Sequence, residues 1–427
     1  MIRQLLFAIL VGVAFGTPSL KMNQPLSQAL KNEKVTNVVV TFKEGTSQLI
    51  RSFSTARSFA SHAQKVTTLK SSLEVLATNT QQNAISILQG NGTKFQSFWI
   101  SNQLFIKDAS RELINALAAL PEVSQVRKEK IISIEKNIYS NSPLNVEWGI
   151  DKIEAEAAWS LPGGNKGEGI VVANIDTGVR STHEALINNF RSAKSWYDPY
   201  DLTDNPIDLN GHGTHTMGTI AGSGGIGVAP EAQWIACRGC YQYSCTEEAL
   251  LACGQFITCP TDPNGENPDC SQAPNVVSNS WGFYPGATFY DEVIDTWRAA
   301  GIVPIFAVHN YGSCDFVTGP GDNINVIGVG ATTEDDGIAS FSSRGPALNG
   351  AIKPDICAPG GVAALLLSQN PNLSYDEVKD LLQNNAERDL LAAETCGGIP
   401  SDVFPNNVYG YGRVNARESL ANAINEN

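Results

Sequence analysis

Gly169-Ile170-Val171-Val172-Ala173-Asn174-Ile175-Asp176-Thr177-Gly178 is the segment from which the architecture of this chain unfolds. A short apolar, β-branched run sits between glycines and ends on an acid. Such a run is too brief for a buried helix and suits a strand covered on both faces. Two more apolar runs bordered by glycine on at least one side are Ile302–Val308 and Ile324–Val329, and apolar runs alternate with helical segments. Strands alternating with helices imply an α/β fold with a doubly wound parallel sheet. Ligands of such sheets gather outside the carboxyl ends of the strands. Asp176 and Asn310 both stand just past an apolar run, so the sheet can bring them to one edge.

Working outward, the chain has 427 residues, 42% apolar and 17% charged, enough for two folding units with a sizeable core. Residues 1–16 read as a secretory signal: Arg3 gives the positive end, Leu5 to Phe15 the apolar core, and Ala14-Phe15-Gly16 a small-x-small cleavage site. The run is too short to span a bilayer, and a retained anchor is the lesser alternative. The expectation is a secreted, extracellular protein with no membrane partner. All nine cysteines lie between Cys237 and Cys396. In an oxidising compartment they are expected as disulfides. Cys237, Cys240 and Cys245 admit a zinc reading, which the lack of a nearby histidine weighs against. An odd count leaves one thiol over, either a buried Cys357 or the partner of a cysteine in an absent segment.

Charge divides the chain. Residues 1–143 carry 16 Lys and Arg against 8 Asp and Glu, and the remainder carries 13 against 35. A net of +8 faces a net of −22, so the two parts should attract. An acidic body also argues against nucleic acid as a partner. The basic part, residues 17–143, reads as a small α+β, ferredoxin-like unit. Asn37–Phe42, Phe95–Ile106 and Val126–Ile134 are expected strands, and Ser110–Leu120 is a helix stopped by Pro121. Ser52–Asn91 is Ser/Thr/Gln-rich with helical spacing and has no clear place. Residues 144–427 form the second unit, where Ser374 and Glu377 form a capping box opening a late helix.

Acyl transfer by a serine needs a base, a carboxylate to orient it, and donors for the oxyanion. Asp176 and His212, in Asn210-Gly211-His212-Gly213-Thr214-His215, supply the first two. Glycines on both sides of His212 let backbone approach the imidazole.

These residues, together with Gly227-Val228-Ala229-Pro230, Asn279-Ser280-Trp281-Gly282, Phe341-Ser342-Ser343-Arg344-Gly345-Pro346, Lys353-Pro354-Asp355-Ile356-Cys357-Ala358-Pro359-Gly360 and Gly410-Tyr411-Gly412-Arg413-Val414-Asn415-Ala416, resemble the motifs of the subtilase family in that family's order. Ala252 to Gly282 is most similar to the bacillopeptidase F branch. Residues 37–134 resemble the subtilase prosegment, which in that family assists folding and inhibits the enzyme. The resemblance implies a subtilisin-like serine endopeptidase acting on proteins and peptides, with its prosegment as intramolecular inhibitor. It implies Asp176 and His212 as triad members and Asn310 as oxyanion donor, although His309 stands where the family usually has glycine. Ser280, Trp281 and Gly282 match the strand that pairs with substrate and flanks the first specificity pocket, and Ser223, Gly224 and Gly225 the facing edge. His215 is expected as a structural histidine packed beneath the site. No cofactor is required. The acidic loop of Asp198, Asp201, Asp204 and Asp208 admits a structural calcium ion, but its spacing is not an EF-hand and favours a solvated loop.

One part of the pattern is missing. In the family a Gly-Thr-Ser-Met-Ala motif carries the nucleophile near the start of a buried helix. Here Gly360 runs directly into Gly361-Val362-Ala363-Ala364-Leu365-Leu366-Leu367, which matches only the later turns of that helix. Three readings follow: a secreted subtilase whose sequence omits an internal segment, a pseudoprotease that binds peptides without cleaving them, and a product that misfolds.

Overall fold

The computed structural model describes residues 21–56, 59, 61–134, 146–357, 361–391 and 394–425. The expected signal, the boundary at 143 and 144, and Gly360 on one side of the internal junction lie outside the described residues. The chain forms two compact units. The first comprises residues up to Gly45, Leu76–Phe98 and Asn102–Glu129; the second comprises Thr46–Val75, Trp99–Ser101 and everything from Lys130 onward.

The first unit is an antiparallel sheet of four strands in the order Phe95–Phe98, Gln103–Ser110, Val35–Phe42, Val123–Lys128. Alternation along Val35–Phe42 turns Val38, Val40 and Phe42 toward Ala84, Leu88, Ile114 and Leu117 on the covering helices. This is the expected ferredoxin-like order of strands and helices. The Phe95–Ile106 run is two strands rather than one. Asn102 breaks it: at φ 46 it turns the chain, donates from its side chain to the Glu44 carbonyl at 2.7 Å, and accepts from Gln81 at 2.9 Å. Val126–Ile134 is likewise divided, and its second piece, Ile131–Ser133, belongs to the second unit.

The unplaced Ser52–Asn91 stretch contains the helices Ser47–Ala56 and His62–Gly90. In the long helix Val66, Leu69, Leu73, Leu76, Ala77, Ala84 and Leu88 are buried at helical spacing. Its polar faces are rich in serine and threonine, whose hydroxyls fold back onto carbonyls one turn earlier, as Ser72 does to Thr68 at 2.9 Å.

In the second unit seven parallel strands run Ile356–Cys357, Ile327–Gly330, Val303–Ala307, Val276–Asn279, Val171–Asp176, Gln233–Arg238, Trp196–Tyr197. One face buries Val172, Val276, Ile305 and Ile327 with Met217, Ile220 and Val362–Leu367 of covering helices. On the other face Trp281 meets Tyr290 and Phe306 edge-on at 5.0 and 5.3 Å. Both faces are therefore covered, as the continuous apolar runs require. Ser374 and Glu377 make the expected capping box. Disulfides join Cys237–Cys253, Cys240–Cys245, Cys259–Cys270 and Cys314–Cys396, leaving Cys357 free and buried. No described helix is long and apolar enough to cross a membrane.

Candidate active site

The strand Val171–Asp176 ends with its last side chain at the carboxyl edge of the sheet, 1% exposed. The helix His212–Ala221 begins with His212 opposite it. His212 Nδ1 stands 2.7 Å from Asp176 Oδ1. The same Oδ1 accepts from Thr177 N at 2.7 Å, and Oδ2 accepts from the Thr216 hydroxyl at 3.3 Å. The carboxylate is thus fixed, and it directs a proton to Nδ1 so that Nε2 can act as base.

Burial of the ring opposes protonation. The Asp176 charge, its hydrogen bond and the charge of Asp208 outweigh that, and together they raise His212 above the ordinary histidine value. Close approach explains the motif glycines. A Cβ on Gly213 would run into the Gly178 carbonyl and stand 3.0 Å from Asp176 Cβ. Gly178 itself has φ 101, which favours glycine.

Asp208 is a residue that sequence reasoning missed as part of this site. Its Oδ1 accepts from the Thr177 hydroxyl, Asn210 N and Gly211 N at 2.9, 3.0 and 2.8 Å. Its Oδ2 accepts from Thr214 N and Oγ1 at 2.9 and 2.6 Å. One carboxylate thereby ties the Asp176 turn to the start of the His212 helix. The signal was an acid four residues before the histidine with an Asn-Gly turn between them. Asp198 faces the fully buried Arg238 at 2.9 Å, and Asp201 pairs with the same guanidinium at 2.8 Å. With Asp208 committed to the helix start, these acids do not converge on a cation, and the residues do not fit a calcium site. The thiol, acid and thiol of Cys314, Glu394 and Cys396 lie close together, but the two sulfurs are bonded to each other and Glu394 pairs with Arg344. That group does not fit a metal either.

Asn310 is exposed, just beyond the strand Val303–Ala307, two strands away from Asp176 at the same edge of the sheet. Ser280 is partly exposed, Gly282 is buried, and the Trp281 indole turns inward to donate to the Ile175 carbonyl at 3.1 Å. Ser223, Gly224 and Gly225 are not brought to the pair. They follow the carboxyl end of the helix that His212 begins, about 15 Å away at 1.5 Å per residue. There Gly225 accepts from Glu147 N at 2.9 Å and Ser223 N donates to Ala185 at 2.9 Å. The edge beside His212 is instead Ser244–Thr246, whose neighbour Gln242 accepts from Asn210 at 3.1 Å. An extended segment, Ile131–Ser133, already pairs with it antiparallel. His215, expected beneath the site, is exposed.

Among the described residues no serine hydroxyl bonds to His212. The helix Val362–Gln369 starts at Gly361, where an added Cβ would lie 2.5 Å from Val228 Cβ and 3.0 Å from the Ile220 carbonyl. Ile220 is eight residues along its helix from His212, about 12 Å at 1.5 Å per residue.

A model of the subtilase family matches residues 167–362. Bacillopeptidase F of Bacillus subtilis (strain 168) is 31% identical over 478 aligned positions, which cover 94% of this chain and 32% of that protein. The alignment is longer than the chain, so the chain carries gaps against it. Subtilisin E of the same organism is 30% identical, with 64% of this chain and 76% of that protein covered. Serine protease AprX, again from that organism, is 32% identical over 60% of this chain and 66% of its own length. Among solved structures, fervidolysin from Fervidobacterium pennivorans, a keratinolytic enzyme related to subtilisin, superposes with a TM-score of 0.60 at 19% identity. It covers 91% of this chain and 62% of its own. The chain thus spans about a third of bacillopeptidase F and just under two thirds of AprX and fervidolysin.

Proposed function

The chain belongs to the subtilase family, and from that premise we propose that it is the pro-form of a secreted subtilisin-like serine endopeptidase lacking the start of its nucleophile helix, and so inactive as it stands. The observation that carries this reading is that the surviving helix begins at Gly361 against Ile220, eight residues along the neighbouring helix from His212. Two helical turns rise about 11 Å. The surviving helix begins beside Ile220, about 12 Å along the neighbouring helix from His212. Two restored turns ahead of Gly361, running back along that helix, would return a helix N-terminus, and a serine on it, toward His212. The roles then follow. His212 takes the serine proton and passes it to the leaving amine. Asp176 holds the tautomer, and Asn310 with the helix N-terminus receives the oxyanion.

The prosegment reading draws support from Ile131–Ser133, which pairs as an added strand with Ser244–Thr246. That contact also favours a second reading, a pseudoprotease whose cleft binds extended peptides, because strand addition needs no nucleophile.

The test has two arms. The purified 427-residue chain should not react with a fluorophosphonate probe; stoichiometric labelling that depends on His212 would show another serine in the role. Inserting a homologous segment with its Gly-Thr-Ser-Met-Ala motif between Gly360 and Gly361 should restore casein hydrolysis. A folded insertion variant that cleaves nothing, even with His309→Gly, would move the reading to the pseudoprotease.

A further inference from the structure

We infer that His309 fills the side-chain slot beside Gly282, so that this cleft accepts glycine at the position entering the slot and excludes larger side chains. The inference rests on the reading of this crevice as a peptide cleft and narrows what that cleft takes.

The strands Val276–Asn279 and Val303–Ala307 are parallel neighbours, with Asn279 level with Phe306. Past their carboxyl ends the loops Ser280-Trp281-Gly282 and Val308-His309-Asn310 leave the sheet side by side, at the edge where ligands of such sheets gather. One wall is bare: Gly282 has no side chain, and Trp281 sends its indole into the core toward Ile175. That wall would suit an incoming side chain.

The opposite wall supplies one already. A Cβ built on Gly282 would lie 2.6 Å from His309 Cδ2, 3.4 Å from its Nε2 and 2.5 Å from Thr318 Oγ1. The imidazole therefore rests against the Gly282 α-carbon, beside the Thr318 hydroxyl. His309 as a residue is 7% exposed, so its side chain is packed in and does not stand out into solvent. It stacks on Tyr311 with centroids 5.3 Å apart and planes at 24°, and Tyr311 leans on Phe316 at 4.6 Å.

The loop is fixed on both sides of the ring. Ser343 N donates to the His309 carbonyl at 2.9 Å, and Tyr311 N donates to the Ser343 hydroxyl at 3.1 Å. His309 holds φ 80, a conformation costly for a residue with a side chain. A backbone suited to glycine carrying a buried imidazole is a departure that alters the space in front of Gly282. Swinging the ring out would break its stack on Tyr311 and expose a buried face, so a large substrate side chain must displace packed protein.

The full chain, His309→Gly and His309→Ala would be compared by calorimetry with acetyl-Ala-Ala-Ala-X amides in which X is Gly, Leu or Phe. The parent should bind the Gly peptide at least as tightly as the others. His309→Gly should gain about tenfold or more for Leu and Phe while leaving Gly unchanged, and His309→Ala should fall between. Crystals soaked in p-cresol provide the second readout: density beside Gly282 in His309→Gly and none in the parent. A parent that prefers Phe tenfold with His309 unmoved, or a folded His309→Gly that neither gains affinity nor admits p-cresol, overturns the inference. If no peptide binds either protein while p-cresol enters only His309→Gly, the slot assignment stands and the peptide-cleft reading fails.

Discussion

Replacing Glu292 with glutamine should flatten the pH dependence of stability of the second unit. Glu292 lies in the helix Asp291–Ala300, and its Oε1 accepts from Thr46 N, at the start of the helix Ser47–Ala56, at 3.2 Å. Burial, opposed by the bonds from Thr46 and reinforced by the charges of Asp295 and Asp291, pushes the carboxyl from 4.5 up to about 7. A carboxyl with a raised folded value binds its proton more tightly when folded. Its contribution is complete below 4.5, declines as pH rises from there, and is gone above about 7. At about 1.4 kcal/mol per pH unit the whole difference is about 3 kcal/mol, and most of it falls between pH 5 and pH 8. Glutamine keeps the acceptor for Thr46 and cannot ionise. Urea unfolding at the two pH values should therefore show Glu292→Gln close to the parent at pH 5 and more stable at pH 8. Asp291, pushed by burial to about 6, and Asp295, raised mainly by burial, slope in the same direction and remain in the variant. The comparison between proteins isolates Glu292. An unchanged slope in Glu292→Gln would refute the assignment.

Other outcomes follow from the site and the disulfides. Asp176→Asn should drop the His212 titration below 6.5, because burial then acts without its main opponent; histidine NMR showing no change would contradict the pairing. In the parent the raised His212 stabilises fully below pH 6.5, and that contribution is lost as pH rises through its folded value. Asp208→Asn should cost about 1–3 kcal/mol in urea unfolding, since an amide facing Thr214 N sets donor against donor. Replacing Cys314 and Cys396 with alanine opens a link spanning 82 residues and should cost about 4.5 kcal/mol by loop-closure entropy, read as a lower urea midpoint.

The sheet and the Asp176–His212 pair were legible because both are written locally. Apolar runs between glycines mark buried parallel strands, and Gly178 and Gly213 stand where two backbones meet with no room for a Cβ. The cysteines were legible as disulfides from their number and the expected oxidising compartment, though the partners were not, since Cys314 reaches across 82 residues to Cys396. Where Phe95–Ile106 was split, one residue decided it: Asn102 reads as one more polar residue in an apolar run until the backbone shows its left-handed turn.

What escaped reading is non-local. Ser223–Gly225 carries a plausible glycine-rich edge in sequence, yet helical rise places it a whole helix length from His212. The pairing edge, Ser244–Thr246, has no glycine motif, and only its partner Ile131–Ser133, more than a hundred residues earlier, identifies it. Asp208 is an acid among other loop acids until its five hydrogen bonds are counted, whereas Asp198 and Asp201, equally plausible as ligands, are taken by Arg238. The same distinction applies to the missing segment. Glycine spacing around Asp176 and His212 persists because each position is enforced by its own neighbours, independent of the nucleophile. An assembled Asp–His pair is therefore compatible with the loss of the serine, and the discriminating observation lies in His309, a residue with a side chain held at φ 80 and packed against Gly282.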